Sequence, residues 1–201
     1  MERVIHSDAA TAASDRDLVD RCRAGDDSAF DVLILRHQQR AFNVAYQLLR
    51  NREDATEVAQ DAFVRIYRSL DGFRGECDFT TWLHQVVVNL ARNKHRWWKR
   101  RGRNLTVSLD HPAETADGEM PAQTAASGDA PDAQAVKAEF VAQLSRRMAE
   151  LPGKFREVLV LRNVENLSYE QIATALNCSV GTVKSRLARA RDHLRKAMEQ
   201  D

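Results

Sequence analysis

The sequence predicts an all-α fold: two small helical domains joined by a flexible linker, the C-terminal one containing a helix-turn-helix. Three observations carry this. Apolar residues recur at steps of three and four through most of both halves, and no stretch alternates as a strand would. A segment with Pro112, Pro121 and Pro131, two glycines and no aromatic residue separates the halves. Near the end, two short apolar-periodic pieces meet at a tight polar turn.

Met1 to Ala13 has no apolar signal region, so residues 1–14 read as a loose tail on a cytoplasmic protein. A short helix around Leu18, Val19 and Cys22 follows, ended by Gly25. A long helix carries Phe30, Leu33, Ile34, His37, Ala41, Ala45 and Leu48 inward. Asn51 to Asp54 reads as the turn into a second long helix, striped by Ala55, Val58, Ala59, Ala62, Phe63, Ile66, Tyr67 and Leu70. After a loop over 71–79, Thr80 can cap a helix to Arg103 whose inward face uses Trp82, Val86 and Leu90. These four helices close a core over residues 15–103.

Residues 104–135 read as the linker, with an extended reach of roughly 110 Å. Helical period resumes over 136–201 with Val136, Phe140, Leu144, Met148 and Leu151, and Pro152-Gly153 breaks it. Phe155, Val158, Leu159 and Arg162 open the next helix. Ser168 and Gln171 have the form of a capping box before Ile172, Ala173 and Leu176. Asn177-Cys178-Ser179 makes a turn, Ser179 caps the last helix, and Val183, Leu187, Ala190 and Leu194 face inward.

The formal net charge of +1 hides segregation. Residues 1–91 carry −4, 92–103 carry +7, 104–135 carry −6 and 136–201 carry +4. The basic blocks point to a polyanionic partner. Catalysis has little footing, since no Gly-rich phosphate loop, HExxH or nucleophile elbow occurs. Cys22, Cys77 and Cys178 lie far apart and complete no zinc pattern, so no metal or small cofactor is implied. Nothing approaches the roughly 18 consecutive apolar residues of a spanning helix, so no membrane insertion is expected.

Three surfaces are candidates for function. With Val183 and Leu187 inward, the last helix presents Thr182, Lys184, Ser185, Arg186 and Arg189, a set suited to phosphates and major-groove base edges. Ser168 and Tyr169 open the preceding helix of that motif. A second face, on the helix from Thr80, carries Asn89, Arg92, Asn93, Arg96 and Arg100, ending in cations interleaved with Trp97 and Trp98. Cations beside stacking rings suit partly unpaired DNA; the alternative is a basic helix end with the tryptophans packed on the domain. The third face presents Asp54, Glu57, Gln60, Asp61, Arg65 and Arg68, for which spacing alone says only a charged, solvated surface.

The stretches NREDATEVAQDAFVRIYRSLDGF at 51–73, FRGECDFTTWLHQVVVN at 73–89 and LSYEQIATALNCSVGTVKSRLARAR at 167–191 resemble bacterial RNA polymerase sigma factors. The resemblance is to the extracytoplasmic-function type of the sigma-70 family and covers residues 15–100 and 136–198 in the family's order. It implies region 2 over 15–103 and region 4 over 136–201. Asp54, Glu57, Gln60, Asp61 and Arg65 then face the core RNA polymerase. Phe73, Arg74, Phe79, Trp82, Asn89, Arg92, Asn93 and Arg96 would recognise and melt the −10 promoter element. Ser168, Tyr169, Thr182, Lys184, Ser185, Arg186 and Arg189 would read the −35 element. The resemblance also implies promoter DNA and an anti-sigma protein as partners and a monomer when free. A linker of this length spans promoter elements about 58 Å apart, taking roughly 17 base pairs at 3.4 Å each.

Two other readings fit parts of the pattern. A stand-alone helix-turn-helix regulator would not need Phe73, Phe79 or the tryptophan cluster. A sigma-mimicking decoy for an anti-sigma protein would not need Lys184, Arg186 and Arg189.

Overall fold

The computed structural model describes residues 13–102 and 131–199. Eight α-helices occur among them: α1 Asp15–Arg23, α2 Asp27–Leu49, α3 Arg52–Ser69, α4 Phe79–Arg100, α5 Pro131–Glu150, α6 Gly153–Leu159, α7 Tyr169–Leu176 and α8 Val180–Met198. A 3₁₀ turn at Leu70–Gly72 follows α3, and a π turn at Val160–Val164 extends α6. Most of the linker lies outside the described residues, but α5 begins at Pro131, five residues before the boundary the composition suggested. Residues 1–12 also lie outside them, while Ala13 and Ser14 are tied down. Ser14 and Asp17 form a reciprocal capping box, and Arg36 donates to the Ala13 carbonyl.

Helices α1 to α4 close the first core as the periodicity requires. Leu33, Ala41, Ala45 and Leu48 of α2 meet Ala55, Val58, Ala62 and Ile66 of α3 and Leu83 and Val87 of α4, all buried. The α2–α3 connection is tighter than expected. Arg50 takes the left-handed conformation at φ 55°, Asn51 accepts from the Asp54 N–H at 2.9 Å, and Arg52 to Asp54 already form the first turn of α3. Tyr67 leaves the stripe and donates its hydroxyl to Asp27 at 2.8 Å.

Two corrections concern α4. Its N-cap is Asp78, not Thr80, and the helix ends at Arg100 before Gly102 at φ +65°. Its deepest face is Leu83, His84, Val87, Val88 and Ala91; Trp82, Val86 and Leu90 are only half-buried. The face is wider than a single stripe because α4 has neighbours on two sides: α2 and α3 on one, α7 on the other.

In the second domain α6, α7 and α8 surround Phe155, Val158, Leu161, Ile172, Leu176, Val183 and Leu187. Phe140 stays 54% exposed, so it does not continue the stripe ending at Met148 and Leu151. The capping box forms as expected, with Ser168 N donating to Gln171 at 2.9 Å and Gln171 N to Ser168 Oγ at 3.2 Å. Asn177 makes the turn at φ 49°, and Ser179 accepts from the Thr182 N–H. The π turn was not anticipated. No helix among the described residues is long and apolar enough to cross a membrane.

Candidate nucleic-acid and polymerase interfaces

The last helix is positioned by its caps and its buried seam. Val183, Leu187 and Ala190 pack inward, which turns Lys184, Ser185 and Arg189 outward as exposed residues and leaves Thr182 and Arg186 at the rim. Among the described residues, Lys184, Arg186 and Arg189 form no ion pair. Ser168 is occupied as the α7 cap, and Tyr169 lies half-buried under the Arg162 guanidinium, 5.2 Å from its ring centre. The face is therefore a row of unpaired cations on a rigidly seated helix, as a major-groove reader needs.

The basic end of α4 is arranged differently. Arg92 is bound by Glu157 through two nitrogens at 2.8 and 2.6 Å, and those hydrogen bonds hold its guanidinium above its usual pKa despite burial. Lys94 sits 2.9 Å from Asp54 and 2.6 Å from Glu57; burial opposes its charge, but the two carboxylates keep its pKa raised. Trp98 is buried and packs edge-on against His95, whereas Trp97 is half-exposed beneath the Arg101 guanidinium at 4.4 Å. The pairing of both tryptophans as a stacking platform is thus corrected: one ring belongs to the core. Asn89, Asn93 and Arg96 are exposed, with Arg96 donating to Asn93.

The loop before α4 brings Phe73 flat against Trp82, with centres 4.4 Å apart and planes 8° from parallel. Phe79 is only 4% exposed and stands edge-on beneath Trp82, so it can support that stack but cannot meet a base itself. Arg74 is exposed beside them. Phe73, Arg74 and Trp82 are brought together; Phe79 is corrected to a supporting ring.

On α3, Glu57, Gln60, Asp61 and Arg65 are exposed. Asp54 is not: it is 9% exposed and faces Lys94, which removes it from the outer surface. The residues that spacing missed lie beside this face. A groove of about 920 Å³ between α2 and α3 is lined by Phe30, Ile34, Phe42, Phe63, Val64 and Tyr67, with Gln60 at its edge. Val64 and Tyr67 are both about half exposed. An apolar Val64 on the polar side of an amphipathic helix was the available signal.

Two family models match the chain: "Sigma-70 region 2" over residues 33–103 and "Sigma-70, region 4" over 142–194. The chain is 36% identical to the RNA polymerase sigma-H factor of Pseudomonas aeruginosa, covering 94% of this chain and 96% of that one. It is 34% identical to the ECF RNA polymerase sigma-E factor of Escherichia coli K12, covering 89% and 91%. Its fold is similar to CnrH, solved in complex with the cytosolic domain of CnrY, at a TM-score of 0.67 and 25% identity, over 94% of this chain and 99% of that one. It is also similar to the sigma factor RpoE of Bartonella quintana, solved with the anti-sigma factor NepR, at a TM-score of 0.58 and 23% identity, over 86% and 98%. The chain belongs to the sigma-70 family, the non-enzymatic factors that direct promoter-specific transcription initiation, and within it to the extracytoplasmic-function type.

Proposed function

We propose that three surfaces divide the work of a promoter-specificity subunit. The outer face of α3 (Glu57, Gln60, Asp61, Arg65) and the apolar groove beside it dock core RNA polymerase. Thr182, Lys184, Ser185, Arg186 and Arg189 of α8 read the −35 element, with Ser168 and Tyr169 placing α7 against the backbone. Phe73, Arg74 and Trp82, with Asn89, Arg92, Asn93 and Arg96, engage the melted −10 element. Asp54 and Phe79 act from beneath, Asp54 by holding Lys94 and Phe79 by supporting Trp82.

The observation that carries this reading is the α8 face: unpaired cations on an exposed side of a helix capped by Ser179. An anti-sigma protein is the expected inhibitor, the free protein is a monomer, and it acts in the cytoplasm where the polymerase is.

The test is transcription by core polymerase plus this protein on a duplex promoter library, reading transcript starts. Starts downstream of paired elements are expected; no initiation from any duplex by a well-folded protein contradicts the reading. Asp61→Arg should weaken core binding while free-DNA binding stays unchanged, and unaffected holoenzyme assembly would move the docking surface elsewhere.

A further inference from the structure

We propose that α1 braces the loop before α4 from both ends: Arg23 holds its entrance, and Asp15, acting through His37 and Phe79, sets the Phe73–Trp82 stack at its exit. Asp15, Arg23 and His37 are then positioning residues for promoter opening. This rests on the reading of Phe73 and Trp82 as −10 contacts.

The loop has little of its own to hold it. Among the described residues, 74–77 make no backbone–backbone hydrogen bond, and the α4 cap residue Asp78 makes no side-chain capping bond. Its geometry therefore comes from its ends. At the entrance, Arg23 donates from Nε to the Leu70 carbonyl at 3.2 Å, and the same carbonyl accepts the Phe73 N–H at 3.1 Å. One bond thus holds the turn that presents Phe73. At the exit, Nε2 of His37 donates to Asp15 at 2.7 Å. His37 is 4% exposed, and its ring centre lies 5.2 Å from that of Phe79. Phe79 meets Trp82 edge-on, and Trp82 lies flat on Phe73. In a close-packed row of this kind a shift of one ring moves the next.

The brace is itself rigid. The reciprocal Ser14–Asp17 capping box closes the start of α1, and Leu18 and Val19 are buried beneath it. Asp15 and Arg23 lie eight residues apart, about 12 Å along the helix at 1.5 Å each, so α1 fixes the spacing of the two holds. The other oxygen of Asp15 is bound by Arg36, which keeps the carboxylate from swinging away. Burial keeps His37 neutral against the pull of Asp15, and its Nδ1 has no partner. The proton therefore sits on Nε2, and the bond to Asp15 sets the orientation of the ring. A stack held in place before a base arrives gives up less freedom on capture.

The test uses the full chain labelled with fluorotryptophan, the Trp82 resonance being assigned by its loss in Trp82→Phe. Asp15→Ala and Arg23→Ala should each move that resonance and leave those of Trp97 and Trp98 in place. Arg21→Ala, which breaks the Arg21–Asp26 pair of the same helix, should move none of them. The same variants are then joined to core polymerase on one duplex promoter from the transcription library, with opening read by permanganate reactivity of downstream thymines. Asp15→Ala and Arg23→Ala should slow opening roughly three- to tenfold, the worth of one hydrogen bond, with the affinity of initial duplex binding unchanged. Asp15→Asn, which keeps an oxygen for the His37 N–H, should restore opening to within about twofold of wild type. An unmoved Trp82 resonance in both Ala variants would overturn the brace, as would movement of all three resonances together. So would wild-type opening by both Ala variants where Trp82→Ala is impaired. Failure of Asp15→Asn to restore opening would overturn the route through His37. Wild-type opening by Trp82→Ala would instead count against the −10 reading of the stack, whatever the resonances do.

Discussion

The basic end of α4 and the basic face of α8 look alike in sequence and differ in what their cations do. On α8, Lys184, Arg186 and Arg189 form no ion pair among the described residues. On α4, Arg92 and Lys94 each face buried carboxylates, one from the other domain and one from α3. The lesson is that a run of cations specifies affinity for negative charge, not the identity of the anion. Tertiary structure decides whether that anion is a side chain or a phosphate.

The largest expected effect comes from the core beneath the first of these faces. Leu83, on the inward side of α4, is fully buried, so Leu83→Ala should lose about 2–5 kcal/mol in denaturant unfolding. Next comes removal of one cation from each face. Lys94→Ala leaves Asp54 buried without its partner and should lose about 1–3 kcal/mol. Lys184→Ala, on an exposed position, should change stability by no more than about 0.5 kcal/mol. Equal losses would show that the two faces do not differ in the way described.

A smaller effect sharpens the account of α8. Ser179→Ala removes the acceptor for the Thr182 N–H and should cost about 1 kcal/mol in thermal stability, with weaker duplex binding because the reader's first turn frays.

The smallest effect concerns pH. Burial lowers the pKa of His37, against the pull of Asp15, and also lowers that of His95, against its bond to the Leu48 carbonyl. The unfolded chain then binds protons that the folded one does not. The stability from these sites is complete above the unfolded histidine pKa of about 6.5 and is lost as pH falls toward the folded values. His95→Gln should flatten that acid slope in melts between neutral pH and pH 5.5; an unchanged slope would remove His95 from the account.

Much of this was legible beforehand because it is local. The inward seams of α2, α3 and α8, the Ser168–Gln171 box and the Ser179 cap follow from spacing and short-range chemistry, and apart from Tyr67 of the α3 stripe they are present. What spacing could not give were contacts made across long separations in the chain. Trp98 read as a DNA ring because its neighbours are cations, yet His95 and the domain core bury it. Asp54 read as a surface carboxylate because it opens a polar face, yet Lys94 lies 40 residues away in sequence and next to it in space. Glu157 carries no local pattern at all. The inward face of α4 was misjudged because a helix packed on two sides has no single stripe.

The division between the two faces is tested most directly by promoter-library transcription with holoenzymes carrying Arg186→Ala or Arg96→Ala. Arg186→Ala should relax base preference in the upstream element alone, by about 1–3 kcal/mol if the guanidinium makes a bidentate base contact. Arg96→Ala should leave that preference intact and weaken use of the downstream element. An upstream preference unchanged by Arg186→Ala, or altered equally by Arg96→Ala, would contradict the assignment of sequence reading to the unpaired cations of α8.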